Sequence, residues 1–202
     1  GVVWLKWSCS QFKVRVALAL IAGIILCWNL YPVTTALVDE WQAERDFPLL
    51  AGFEHPYELS RWEEGYSLAC RSREQARQGN FSLRVSLSTA TYSGVHLEYF
   101  PHNWQGLSFL AFSIYNAGLR PLTITVRVND KKHEEGPQLY KDRYNRSFSI
   151  HHGWNDIKIS LAAIRNAPAN RKMNMSEISE LGFFVIRQKK ARVIFLDDVR
   201  LI

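Results

Sequence analysis

Cysteine is scarce in this chain, and its placement excludes two structural devices. Of the three, Cys9 and Cys27 fall in the N-terminal segment, and Cys70 stands alone in the rest of the 202 residues. A disulfide within the globular part is therefore excluded, and no Cys/His spacing suits a zinc site. Acidic residues are missing before Asp39; all 19 lie from there on. Catalytic signatures are missing too. No G-x-S-x-G, P-loop, H-E-x-x-H or Rossmann glycine pattern occurs. His151-His152 ahead of Gly153-Trp154 offers no metal pair, because neighbours on a strand face opposite ways. There is no internal repeat, low-complexity tract or long helical pattern after residue 38. The chain does not begin with Met, which suits a fragment or a processed product.

Charge excludes another class. The formal net charge is +6, but Lys6, Lys13 and Arg15 precede Asp39, which leaves 22 basic against 19 acidic residues beyond it. A net of +3 with Lys and Arg scattered lacks the basic stripe of a nucleic-acid binder, and no nucleic-acid partner is expected. What is abundant is apolar material, 47% of residues with 13% aromatic, enough to build one sizeable core. The length fits one domain plus an appendage.

The appendage comes first. Residues 1–13 form a basic and aromatic border with Trp4, Lys6, Trp7 and Lys13. Residues 16–33 are almost wholly apolar, interrupted only by Asn29, and the run continues weakly to Val38; at ~20 residues it is long enough to cross a bilayer, and 14–38 is expected as the transmembrane helix. Trp28 and Tyr31 fall near its far interface. Basic residues before the run and Asp39-Glu40 after it place the N-terminus in the cytoplasm and the rest outside a bacterial inner membrane. A cleaved signal peptide is the competing reading, with Thr34-Thr35-Ala36 as its small-residue site. A buried core helix would need a polar face, which the run lacks. Residues 39–49 read as a short helical stalk ended by Pro48.

From about residue 50 the pattern is of short strands. In 103–116, a turn at Trp104 and Gly106 leads into Leu110, Phe112 and Ile114, which alternate with Ala111, Ser113 and Tyr115. Alternation of this kind marks a strand with one face in the core. The same pattern places Leu83, Val85 and Leu87 inward, then Val95, Leu97 and Tyr99, then Leu122, Ile124, Val126 and Val128. Further strands are expected at 59–62, 66–70, 144–150, 155–161, 181–187 and 192–201. Turns or loops are expected at 63–65, 71–80, 131–136, 166–174 and 176–180, with a helical turn at 161–164. About ten strands and no long helix predict an all-β domain, an antiparallel sandwich.

Three segments carry a family likeness: Phe53-Glu54, Gly79-Asn80-Phe81-Ser82-Leu83-Arg84-Val85, and Phe195-Leu196-Asp197-Asp198-Val199-Arg200-Leu201. Together with 103–116 and 140–145 they resemble the framework of galactose-binding-like jelly rolls, including carbohydrate-binding modules related to family eleven. The resemblance covers residues 50–202. Domains of this kind also follow VanZ-like membrane regions, and the apolar segment is similar to the last helix of such a region, although no VanZ motif is present. The resemblance further implies a structural calcium ion between the first and last strands. Glu54 with Asp197 or Asp198 would be its carboxylates, completed by loop carbonyls near Gly79. Since Asp197 and Asp198 are adjacent on a strand, one of them is expected to face the ion.

Sugar binding needs flat rings beside forked polar groups: rings stack on the C–H face of a pyranose, and Arg, Asn and Asp bond vicinal hydroxyls in pairs. On the out-facing phase and adjoining loops stand Tyr92, His96, Glu98, Tyr115, Arg127, Asn129, Asp142, Arg143 and Asn145. Each has a plainer role: Glu98 and Arg127 as a cross-strand ion pair, Tyr115 as a half-buried strand tyrosine, Asp142, Arg143 and Asn145 as a bonded turn. If the strands of Tyr115 and Arg127 adjoin, these two and Arg143 would surround one sugar ring, with Tyr115 stacking and the arginines bonding hydroxyls or a uronate carboxylate. Glu98 and Asp142 would be the carboxylates of a glycosidase pair, with nothing to fix their separation. The reading is a membrane-anchored, extracytoplasmic, non-catalytic carbohydrate-binding module. The alternative is a module that docks an envelope protein through the same sheet.

Overall fold

The computed structural model describes residues 2–202, with the side chains of Phe12 and 14–202. The side chains of Trp4, Lys6, Trp7, Cys9 and Lys13, including the expected membrane border, lie outside the described ones. The chain divides into two compact units, Gly1–Trp41 and Gln42–Ile202.

The first unit is helical. Helix α1 runs Val2–Asp46 without a break, through Pro32. Its stretch from Val14 is long and apolar enough to cross a membrane. The few polar groups inside it are satisfied by its own backbone: Asn29 Nδ2 donates to the Ile25 carbonyl at 2.7 Å, Thr34 Oγ1 to Tyr31 at 2.9 Å and Thr35 Oγ1 to Pro32 at 2.9 Å. A segment in hydrocarbon must bond its polar groups internally, and these do.

The second unit is a sandwich of two antiparallel sheets. In chain order its strands are β1 (Leu49–Ala51), β2 (Trp62–Gly65), β3 (Ser67–Ser72), β4 (Ser82–Leu87), β5 (Tyr92–Leu97), β6 (Phe109–Asn116), β7 (Leu122–Asp130), β8 (Tyr144–Ile150), β9 (Gly153–Ser160), β10 (Ile178–Ile186) and β11 (Arg192–Leu201). Two short helices, α2 (Lys131–Glu135) and α3 (Leu161–Arg165), interrupt them. One sheet has the order β3-β4-β11-β6-β9, with β1 also on β11; the other has β2-β5-β10-β7-β8.

Alternation places the core between the sheets. Leu83, Val85, Leu87, Leu110, Phe112 and Ile114 from one sheet meet Val95, Leu97, Ile124, Val126 and Val128 from the other, all buried. Phe112 and Phe183 join the two layers edge to face at 4.9 Å, a geometry aromatic pairs favour.

Several local expectations are corrected. Residues Glu63-Glu64-Gly65 are strand β2 rather than a turn, because they pair with β5. Residues 56–61, in place of an expected strand, form a 3₁₀ turn started by Pro56. Tyr99 is 67% exposed, since β5 ends at Leu97 and the alternation stops with it. Residues 131–135 are helical because Asp130 caps them, its Oδ1 accepting from His133 N at 3.1 Å.

Candidate functional site

The outer face of the five-stranded sheet holds a polar row. Pairing aligns Glu63, His96, Gly182, Arg127 and Asn145 across β2, β5, β10, β7 and β8. Gly182 leaves a trough at the centre; a Cβ there would fall 2.8 Å from His96 Nδ1. Glu180, one step along β10, bridges the trough. Its Oε1 lies 2.5 Å from His96 Nδ1 and also accepts from Arg127 Nη2. His96 Nδ1 lies 3.4 Å from Arg127 Nη2 as well. The shorter contact assigns the ring proton to Nδ1, donated to Glu180. Burial, with Arg127 alongside, holds His96 down at about 4, so the ring is neutral near pH 7. Arg127 is itself pushed down to about 10 by burial and by the Arg143 guanidinium.

Beside this row opens a cleft of about 780 Å³, lined by Glu98, Tyr99, Arg127, Asn129, Arg143 and Glu180 among others. That is the size of a small-ligand site. Polar atoms around it are buried and have no partner: Arg127 Nε, Asn129 Oδ1, Arg143 Nε, and both Oδ1 and Nδ2 of Asn145. Buried polar groups are normally bonded, and these atoms are exceptions on this face. Exposed tyrosines stand on the same side. Tyr140 lies under Arg143 at 5.5 Å, and Tyr92 meets Phe184 edge-on at 6.0 Å. At the β2 end, burial and the Glu63 carboxyl, which hydrogen-bonds to it, push Glu98 up.

The expected residues divide as follows. Glu98, Arg127, Asn129 and Arg143 line the cleft. Asn145 pairs with Arg127 across the strands, and Tyr92 lies on the same sheet. Tyr115 does not join them. Its strand β6 lies in the other sheet, where the ring packs edge-on against Trp154 at 5.4 Å and Phe195 at 5.9 Å. Tyr115 is the half-buried strand tyrosine, and the triad with Arg127 and Arg143 does not form. Asp142 is held by Arg171, 2.6 Å from Nε and 2.8 Å from Nη2. The partner of Arg127 is Glu180, not Glu98. Glu180 and Tyr99 escaped the sequence reading because it placed one in a turn and the other in the core.

The three carboxylates expected at a calcium site have protein partners, although Asp198 Oδ1 is buried without one. Glu54 Oε1 accepts the amides of Asn80 at 2.8 Å and Phe81 at 2.9 Å. Asp197 Oδ2 accepts those of Arg77 at 2.6 Å and Gln78 at 3.0 Å, and Oδ1 that of Asp198 at 2.7 Å. Asp198 Oδ2 pairs with Arg200 at 2.7 Å. The carbonyls of Phe53 and Glu54 face the Arg71 guanidinium, which donates to both. Calcium requires six to eight oxygens turned inward. Here the 77–81 loop turns amides inward, and a guanidinium takes the carbonyls. Among the described residues no three acidic, His or Cys side chains form a metal-sized group, so this arrangement does not fit the ion. Asp197 and Asp198 are both buried, because a bulge with Asp198 at φ 52° breaks the strand's alternation. Burial pushes both carboxyls up.

No protein-family model matches the chain, and no curated protein does. Solved structures match well. A family 11 carbohydrate-binding module from Clostridium thermocellum, in complex with a β-1,3-1,4-mixed-linked tetrasaccharide, has a TM-score of 0.60 at 16% identity, over 76% of this chain and 94% of that one. The xylan-binding CBM22-1 domain from Paenibacillus barcinonensis has a TM-score of 0.53 at 18% identity, over 77% and 94%. An exo-β-agarase has a TM-score of 0.62 at 14% identity, over 76% of this chain but only 24% of its own length. The sandwich therefore has the jelly-roll fold of carbohydrate-binding modules.

Proposed function

We propose that residues 50–202 bind glycan without catalysis, in the cleft on the five-stranded sheet. The observation that carries this reading is the cluster of partnerless polar atoms on Arg127, Asn129 and Arg143, in a cleft with Asn145 and tyrosines beside it. Forked polar groups suit vicinal hydroxyls, and exposed rings suit the faces of pyranoses. The structural relatives include modules whose names record oligosaccharide or xylan binding. Asp142, which would have completed an acid pair with Glu98, is committed to Arg171, which favours binding over hydrolysis. A polar lining favours glycan over an envelope-protein partner, which would need an apolar patch.

The module is carried by α1 as a membrane anchor, with the sandwich on the extracytoplasmic side of a bacterial inner membrane. Lys6, Lys13 and Arg15 before the apolar run, and Asp39 and Glu40 after it, support that orientation. The test of binding is a polysaccharide array probed with the full chain in detergent. Retention of at least one polysaccharide, lost in Arg127→Ala, is expected. No retention on any of them rejects the reading. For orientation, protease added to cells with a permeabilised outer envelope is expected to remove the sandwich; its protection reverses the topology.

A further inference from the structure

We propose that the cleft selects glycans that carry a negative charge, with a carboxylate or sulfate seated on Arg143. The inference rests on the glycan reading above and adds the ligand's charge.

Arg143 is half-buried at the cleft wall. It has no carboxylate within ion-pair distance among the described residues. The Tyr140 ring lies 5.5 Å from it, and its Nε is buried without an acceptor. A half-buried guanidinium with no counter-ion is stabilised when an anion arrives. Carboxylate and sulfate both match its planar fork.

The acidic residues of the cleft do not supply that anion. Glu180 is shared between Arg127 and His96. Glu98 is turned to Glu63 at the far end of the row. Glu135 pairs with Lys131 at 3.7 Å, and Glu177 accepts from Asn174 at 2.7 Å. Glu134, on α2 beside β7 and β10, faces Glu98 closely enough to raise it. Arg127, the one other guanidinium on the wall, is close enough to Arg143 to repel it. Glu98 thus lies toward Glu63 of β2, and the two guanidiniums lie toward β8. Asn145, with both amide atoms free, stands next to Arg127 and can bond hydroxyls flanking the charged group.

The experiment is calorimetric titration of the full chain in detergent at low salt. The ligands are a polyuronate, a sulfated galactan and a neutral mixed-linked β-glucan. At least one charged polymer is expected to bind tenfold or more tightly than the neutral one. Arg143→Ala and Arg143→Gln are expected to remove that preference, so that the charged polymers bind no more tightly than the neutral one. Gln preserves most of the stem's packing, so the better-folded variant by thermal melting is the one judged. Preference for polyuronate alone assigns the carboxylate, for sulfated galactan alone the sulfate, and for both a general anion seat. Binding of the neutral polymer as tightly as the charged ones overturns the inference and leaves the glycan reading standing. So does a charge preference unchanged in both variants. Binding of none of the three overturns the inference and counts against the glycan reading as well.

Discussion

Arg171 holds Asp130 by two parallel hydrogen bonds, Nη1 to Oδ2 at 2.6 Å and Nη2 to Oδ1 at 2.7 Å. The same guanidinium grips Asp142, so one side chain ties the end of β7 to the loop that carries Arg143. Asp130 is fully buried, and it also accepts the amides of His133 and Asn174. Burial alone would raise its carboxyl; the Arg171 and amide hydrogen bonds outweigh that and hold it below the usual range.

Removing one partner of such a buried pair strands the other. Arg171→Ala is expected to lower the unfolding free energy by about 3 kcal/mol. It should also weaken glycan binding, because the Arg143 loop loses its tether. Urea denaturation measures the first effect and calorimetry the second. A loss of stability below about 1 kcal/mol, the size of an exposed ion pair, would show that the network is not buried in solution.

His96 gives the sandwich a pH dependence with a definite sign. Its folded value is held near 4, against 6.5 unperturbed. Above about pH 6.5 both states are neutral. Between 6.5 and 4 the unfolded chain takes up a proton that the folded one refuses, so stability falls as pH falls, by at most about 3 kcal/mol. Burial lowers His133 also, and it adds to the same slope. His96→Gln is expected to flatten the profile in part. Equal slopes for the parent and the variant in urea titrations at pH 7, 5 and 4 would rule His96 out as the cause.

The sheets were legible in the sequence because burial acts on every second residue. Leu110, Phe112 and Ile114 announce their phase with no knowledge of their partners. Which strands adjoin was not legible, since that depends on long-range pairing. Tyr115 and Arg127 share an out-facing phase yet lie on different sheets. Glu180 was hidden for a related reason: β10 starts at Ile178, with Ile178 and Glu180 either side of a register shift, and polar Ser179 and Glu180 imitate a turn. The direction in which the loop groups face at the implied calcium site was not legible either. Glu54 and Asp197 are where the resemblance puts them, but the loop between them offers hydrogens rather than lone pairs.

That direction has a thermal consequence. Glu54 and Asp197 together accept four loop amides, and Arg71 closes the carbonyls of residues 53 and 54. The melting temperature is expected to be the same in calcium and in EDTA, since a bound ion would raise it by mass action. Glu54→Ala should cost about 1–2 kcal/mol in either buffer, as the loss of two amide caps does. A rise with calcium that disappears in Glu54→Gln would restore the ion to this junction.

Arg127 and Tyr115 separate the two faces of the sandwich. Arg127 sits in the polar row and lines the cleft, with Nε buried and unpartnered. Tyr115 sits on the opposite sheet among His152, Trp154 and Phe195. Arg127→Ala is therefore expected to weaken binding of any glycan ligand tenfold or more, about 1.4 kcal/mol. Tyr115→Ala is expected to leave affinity intact and to cost about 1–3 kcal/mol of stability, from three lost edge-on ring contacts and the half-buried surface they share. Each variant thus has one affected property and one spared. Calorimetry on the folded proteins and urea denaturation read the two separately. If Tyr115→Ala abolished binding while its unfolding curve stayed unchanged, the ligand would belong on the six-stranded sheet, against Tyr115 and Trp154, and the cleft beside Arg127 would lose its role.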